Sequence, residues 1–267
     1  MNSQPKLGSP ANLFWIAIAS IGVLAWCFAP QTWDWYQARR MARMQPCLGL
    51  ELRPLIDSTP DETAGSKETL FGYEFEVPWR NVDAKGVRHQ GMLIASNGHS
   101  LILWDPADRQ QLLGDASKSK QHPNIKDAFA SALGNDATRS NYDLLEHMLN
   151  ITPEQISPIL SKREANGRLT LLRIKSAIYC NNGHPAFYSF HRGDLNCLQI
   201  GEPGLSRDVE VICFDGADRE LNFHFSGGRQ DSSEVLSQRE INRVIQTLHA
   251  VENPSVGPPV GAAHNSN

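Results

Sequence analysis

Eighteen consecutive residues without a charge, Leu13 to Pro30 (LFWIAIASIGVLAWCFAP), constrain this chain more than any other stretch. As a helix rising about 1.5 Å per residue they would span roughly 27 Å, close to the ~30 Å hydrocarbon thickness of a bilayer. The segment reads as a single transmembrane helix, with everything after it tethered to lipid. Two other readings compete. A cleaved signal peptide wants a basic start and a small-residue exit, but the start carries only Lys6, and Pro30 would follow the cut after Ala29. A lipoprotein signal would use Leu24-Ala25-Trp26-Cys27, where bulky Trp26 fills a position that takes Gly, Ala or Ser.

The flanks fit an anchor. Trp15, Trp26, Trp33, Trp35 and Tyr36 cluster near its two ends, where amphipathic rings favour the membrane interface. Arg39, Arg40 and Arg43 follow it, against Lys6 and the terminal amine before it. By the rule that short basic flanks stay inside, this slightly favours a cytoplasmic domain.

The remaining residues supply enough chain for one ordinary α+β domain. The layout read from the sequence is a leader at 1–12, the transmembrane helix at 13–30 and a basic juxtamembrane stem at 31–46. One soluble domain follows at 47–252, then a Pro- and Gly-rich disordered tail at 253–267. Acidic residues (29) outnumber basic ones (25), so nothing suggests nucleic acid as a partner. The expected partners are the lipid bilayer, through 13–30, and an unidentified protein.

Within the domain, Phe71, Tyr73, Phe75, Val77 and Trp79 alternate with Gly72, Glu74, Glu76 and Pro78. That period of two predicts a half-buried strand with both glutamates on its wet face. Strands at Gly91–Ala95 and Ser100–Trp104 flank Asn97-Gly98, a hairpin signal. Asp57 to Glu68 and Asp108 to Pro123 read as loops, and Asn124 caps a helix to Leu133. Ser140 with Asp143 opens a second helix, and Thr152-Pro153-Glu154-Gln155 a third that Pro158 shortens.

From Arg168 onward strands are expected at Arg168–Cys180, Pro185–His191, Leu195–Ile200, Asp208–Asp215 and Arg219–Ser226. Short Gly-containing turns, Asn182-Gly183 among them, make neighbours antiparallel and sequential. Ser237 with Glu240 caps a last helix whose Ile241, Val244, Ile245, Leu248 and Val251 form one stripe that must cover a sheet. The order predicts an α+β fold with a mainly antiparallel sheet packed by helices.

The strand FGYEFEVPW, the helical stretch SNYDLLEHMLNITPEQI and the closing antiparallel strands with their helix together resemble the PsbP-like group of α/β/α sandwich domains, over roughly Leu70 to Val251. That resemblance implies a non-enzymatic binding or assembly role, often outside the cytoplasm, against the basic flank's lean.

Candidate chemistry is sparse. Cys180, His184, His191 and Cys197 offer soft-metal ligands within eighteen residues, though their spacing matches no standard zinc finger. Alternatively Cys180 and Cys197, bounding neighbouring predicted strands, form a disulfide, while Cys213 packs as a small buried hydrophobe. No Gly-x-Ser-x-Gly elbow, phosphate loop or His-Glu-x-x-His occurs, so no catalytic residue and no cofactor is assigned. Glu146-His147 reads as a solvated helix face, and Asn150-Ile151-Thr152 matches a glycosylation acceptor that a helix cap explains as well. Expected binding loops are Gly114–His122 and Gly201–Arg207. The leading reading is a single-pass anchored, non-catalytic binding or assembly module. Its alternatives are an anchored metal-dependent hydrolase and a structural part of an envelope or secretion assembly.

Overall fold

A computed structural model describes residues 32–56, 59–62, 65–80, 82–87, 91–96, 99–104, 125–133, 140–180, 186–206, 208–227 and 236–251. The architecture is α+β, with a mainly antiparallel sheet packed by helices. Two compact units divide the chain, Met1–Leu52 with Leu113–Phe187 and Arg53–Leu112 with Tyr188–Asn267. Among the described residues no helix is long and apolar enough to cross a membrane. The expected spanning segment 13–30 lies outside those residues, as does the expected tail.

The first unit is helical. Its opening helix α1 covers 32–44, and Ala38 is fully buried on its inner side. Arg39 reaches Glu154 at 2.9 Å, and Arg173 bonds Gln37, so the stretch expected as a stem packs within the unit. A 3-10 turn, Pro46–Gly49, follows. Then come α2 (Ile125–Leu133) and α3 (Asn141–Asn150). Ser140 caps α3 as expected: its hydroxyl accepts from the Asp143 N–H at 3.1 Å, and its own N–H donates to the Asp143 carboxylate at 3.2 Å. The Thr152 signature closes only one 3-10 turn, Pro153–Gln155.

Arg168–Cys180 is not a strand. It belongs to α4, Lys162–Tyr179, the longest helix among the described residues. Ser161 caps it by accepting the Glu164 N–H at 3.2 Å, and Glu164 holds Arg168 one turn on at 2.8 Å. Ala165, Leu169, Leu171, Leu172 and Tyr179 are all buried. A helix covered on several sides loses the amphipathic period, so its apolar run reads equally as a strand. Gly167 explains itself by packing: a Cβ there would come within 2.6 Å of the Ala132 nitrogen on α2.

The second unit carries the sheets. Strands β1 (Arg53–Pro54), β2 (Ser66–Leu70), β3 (Tyr73–Val77), β4 (Asp83–Val87), β5 (Gly91–Ser96) and β6 (His99–Trp104) precede the helices α2 to α4 in sequence. After them come β7 (Phe187–Arg192), β8 (Leu195–Ile200), β9 (Asp208–Phe214), β10 (Glu220–Ser226), α5 (Gln238–Thr247) and β11 (His249–Ala250). Eight strands form one sheet in the order β1-β7-β8-β9-β10-β6-β5-β4, and β11-β3-β2 form another. Pairing is antiparallel in β4–β5, β5–β6, β6–β10, β9–β10 and β8–β9, and parallel between β1 and β7.

Strand β3 keeps the expected alternation: Tyr73, Phe75 and Val77 are buried, with Glu74 and Glu76 between them half-buried. Strands β2, β4 and β11 went unforeseen: β2 starts inside the expected loop, and β11 takes the end of the expected last helix. A two-residue turn joins β2 to β3 at Phe71 (φ 53°) and Gly72 (φ 81°). Both positive φ values suit a primed hairpin turn, a geometry that phenylalanine does not advertise. The core of this unit packs Phe75, Val77, Leu101, Val211, Phe223 and Phe225 with the α5 stripe Ile241, Val244, Ile245 and Leu248. Phe223 meets Phe75 edge-on at 6.0 Å. The stripe stops at Leu248. Val251 lies past β11, partly exposed, with its N–H bonded to the Gly72 carbonyl at 2.8 Å.

Candidate functional site

Of the four candidate metal ligands in the sequence, Cys180, His184, His191 and Cys197, both cysteines are taken up in disulfides. Cys180 caps the C-terminus of α4 and pairs with Cys47 in the 3-10 turn, at a Cα separation of 5.8 Å. Cys197 pairs with Cys213, not with Cys180, at a Cα separation of 4.2 Å. The physical reason is the mistaken strand. With 168–180 helical, Cys180 does not begin a hairpin with β8, whereas Cys197 and Cys213 face each other in the β8–β9 register. Cys213 is buried, but as half of a disulfide. Two of the four proposed ligands are therefore sulfurs without a thiolate to offer. Exposed His191 lies 2.6 Å from the Asn196 amide oxygen, and His184 is outside the described residues. Among the described residues no group of three His, Cys, Asp or Glu side chains is placed to hold a metal.

The most unusual ionisable group was not singled out by sequence reasoning. Lys175 on α4 is fully buried, and its Nζ donates to the carbonyls of Leu149 (2.6 Å), Leu50 (2.6 Å) and Ile151 (3.0 Å). Its three N–H bonds match three acceptors, and the Phe187 ring lies 5.0 Å away. Burial pulls its pKa down to about 8, with Glu51 opposing. The geometry ties the end of α3 and the segment after Cys47 to α4, so the lysine is a clamp within the helical unit. Its sequence signal is weak: Lys175 stands two residues after Arg173 among Leu171, Leu172, Ile174 and Ala177, a pattern a solvated helix face also produces.

In the sheet unit, Asp215 holds the β9–β10 turn. Burial would raise its pKa, but hydrogen bonds from the Arg219 backbone and side chain, from the Tyr73 hydroxyl and from the Ala217 N–H together lower it. Tyr73 donates at 3.0 Å and Arg219 Nε at 2.7 Å. Burial first, then Asp215, pushes the Tyr73 hydroxyl up. Glu240 has two tasks. One oxygen closes the α5 capping box with Ser237, and the other accepts the Trp79 indole N–H at 3.0 Å. Glu76 pairs with Arg243, and its N–H donates to the Thr247 hydroxyl at 2.7 Å. Glu74 pairs with Lys67 at 3.3 Å. The carboxylates of β3 thus serve the packing of hairpin and helix.

Two open grooves lie on the helical unit. One is lined by Asp143, Glu146, His147 and Asn150 on α3. Beside it burial, and then Glu146, push the Tyr142 hydroxyl up to about 12. The Asn150 side chain accepts the Leu52 N–H at 2.9 Å, so the formal glycosylation acceptor already serves the fold. The other groove is lined by Trp33 and Asp34 of α1 with Lys162, Arg163 and Asn166 of α4. Burial raises the Asp34 pKa, with Arg173 and Lys162 opposing. Of the two expected binding loops, Gly114–His122 lies outside the described residues. The described part of the other exposes Leu205, while Glu202 accepts from the Tyr188 hydroxyl at 3.2 Å.

This set of side chains can clamp, cap and cross-link, and it leaves aromatic and basic surface on α1 and α4. Comparison with family models, with curated proteins and with solved structures finds no match to this chain.

Proposed function

We propose that this chain is a single-pass anchored protein whose folded units lie outside the cytoplasm and act as a non-catalytic binding or assembly module. The observation that carries the location is cysteine pairing: Cys47, Cys180, Cys197 and Cys213 are all joined in two disulfides. Such bonds persist in oxidising compartments and are rare in the cytosol. They outweigh the small excess of arginine after the anchor, which amounts to one or two charges. The resemblance to PsbP-like domains points the same way. A binding role is supported by the chemistry that is spent internally: Lys175 on carbonyls, Asp215 on a turn, Glu240 on a cap and an indole.

The test is thiol trapping in intact cells that make the protein. After acid quenching and alkylation, these cysteines should react only once reduced. Free thiols at all four positions would return the domain to the cytoplasm. A photoreactive residue at Leu205 should then yield adducts in the native membrane; a chain that stays monomeric at every exposed loop tested would remove the binding role.

A further inference from the structure

The described part of helix α1 starts at residue 32, two positions after the uncharged stretch 13–30 ends in sequence, and one side of it is bare. Trp33 is 59% exposed, Tyr36 51% and Met44 65%, and Arg40 and Arg43 are exposed between them. Positions 33, 36, 40, 43 and 44 recur at helical spacing, so these side chains form one stripe. Trp33 and Tyr36 stack at 5.8 Å. At the start of the stripe, Lys162 and Arg163 from the first turn of α4 share a groove with Trp33. Only the fold brings these two cations beside an aromatic residue about 130 positions earlier in the chain. Asp34 in the same groove is countered by Arg173 and Lys162.

Aromatic rings next to exposed cations, placed where a chain leaves an apolar segment, match the chemistry of a phospholipid headgroup layer. Indole and phenol favour the interface. Basic side chains near an anionic surface each add attraction that falls off within a Debye length. We infer that the α1 stripe, with Lys162 and Arg163, rests on anionic phospholipid headgroups of the bilayer that holds residues 13–30. The helical unit then lies on the membrane surface instead of hanging from a stalk. This rests on the anchored reading given above, and it adds the face and the lipid chemistry.

The test uses the full chain with Cys27→Ser and Asn166→Cys, labelled with a fluorophore at position 166, in vesicles of phosphatidylcholine alone or mixed with phosphatidylglycerol. Headgroup spin-labelled lipid should quench the Asn166 label in the anionic mixture about threefold more than in neutral vesicles, as expected for a charge-driven contact. High salt, or Lys162→Glu with Arg163→Glu, should abolish the difference. An Asn166 label unquenched in anionic vesicles that keep the protein through an alkaline wash would overturn the inference and leave the anchor standing. Shielding from an aqueous quencher without lipid quenching would mean a second copy covers this face, and would overturn it too. Quenching that survives both charge reversals would remove Lys162 and Arg163 from the contact. Protein washed off at alkaline pH would sink the anchor itself.

Discussion

The two units solve the same problem by different means. The sheet unit, although β6–β10 and β1–β7 pair strands far apart in sequence, is held by a continuous sheet and a shared apolar layer of Phe75, Phe223, Phe225 and the α5 stripe, so its stability comes mainly from burial. The helical unit is assembled from segments far apart in sequence, and point devices fasten it. Cys47–Cys180 closes 133 residues, and Lys175 gathers carbonyls from two other segments. By contrast, the sheet unit's own disulfide closes only 16 residues within one hairpin. Both units join remote segments, but the cross-link that closes the longer loop removes more entropy from the unfolded chain, so the helical unit gains more from its disulfide.

The two units should differ most in their response to losing a disulfide. Replacing Cys47 and Cys180 by serine should destabilise the helical unit by about 5 kcal/mol, against about 3 kcal/mol in the sheet unit for Cys197 and Cys213, by the chain-entropy scaling. Urea unfolding followed by hydrogen exchange in each unit separates the two, and equal losses would refute the loop-length account. Next comes Phe223→Ala, which empties the sheet core and should cost about 4 kcal/mol, with protection lost in β9 and β10. Loss confined to the helices would contradict the division into units.

Lys175→Met should cost about 3 kcal/mol, because the carbonyls of Leu149, Leu50 and Ile151 lose a buried donor. The pH dependence follows from its depressed pKa. Lys175 releases its proton near pH 8 when folded and near 10.5 when unfolded. Between those values the unfolded chain binds more protons, so stability should rise with pH across that window. Above it the gain is complete; as pH falls through about 8 it is lost. Denaturation midpoints of the wild type should climb from pH 8 to 10, and those of Lys175→Met should lack that component. The smallest effect belongs to Tyr73→Phe, which removes the 3.0 Å donor to Asp215. Since Arg219 and two backbone N–H groups still hold that carboxylate, about 1 kcal/mol is expected by thermal unfolding.

Legibility in the sequence followed the range of each signal. Ser140 with Asp143 and Ser237 with Glu240 mark helix starts because a cap is settled within one turn. Strand β8 matches its expected span, and β5 pairs antiparallel with β6 as foreseen, with Ser96 opposite His99, while the expected turn at 97–98 lies outside the described residues. The stretch after Arg168 failed because α4 is buried on several sides, although Ser161 with Glu164 carried a helix start that was there to be read. The wrong cysteine partner followed directly from that error.

Composition and local pattern alone determined the uncharged stretch at 13–30, the α+β class, the buried alternation Tyr73, Phe75 and Val77 of β3 and the α5 stripe as far as Leu248. These depend on periods and caps that act over a few residues. Only the tertiary structure decided that Cys47 meets Cys180, that Lys175 is the buried cation, and that Lys162 and Arg163 stand beside Trp33. Each of these joins positions more than twenty residues apart. Their meeting is set by which helix faces pack together, and no local signal encodes that.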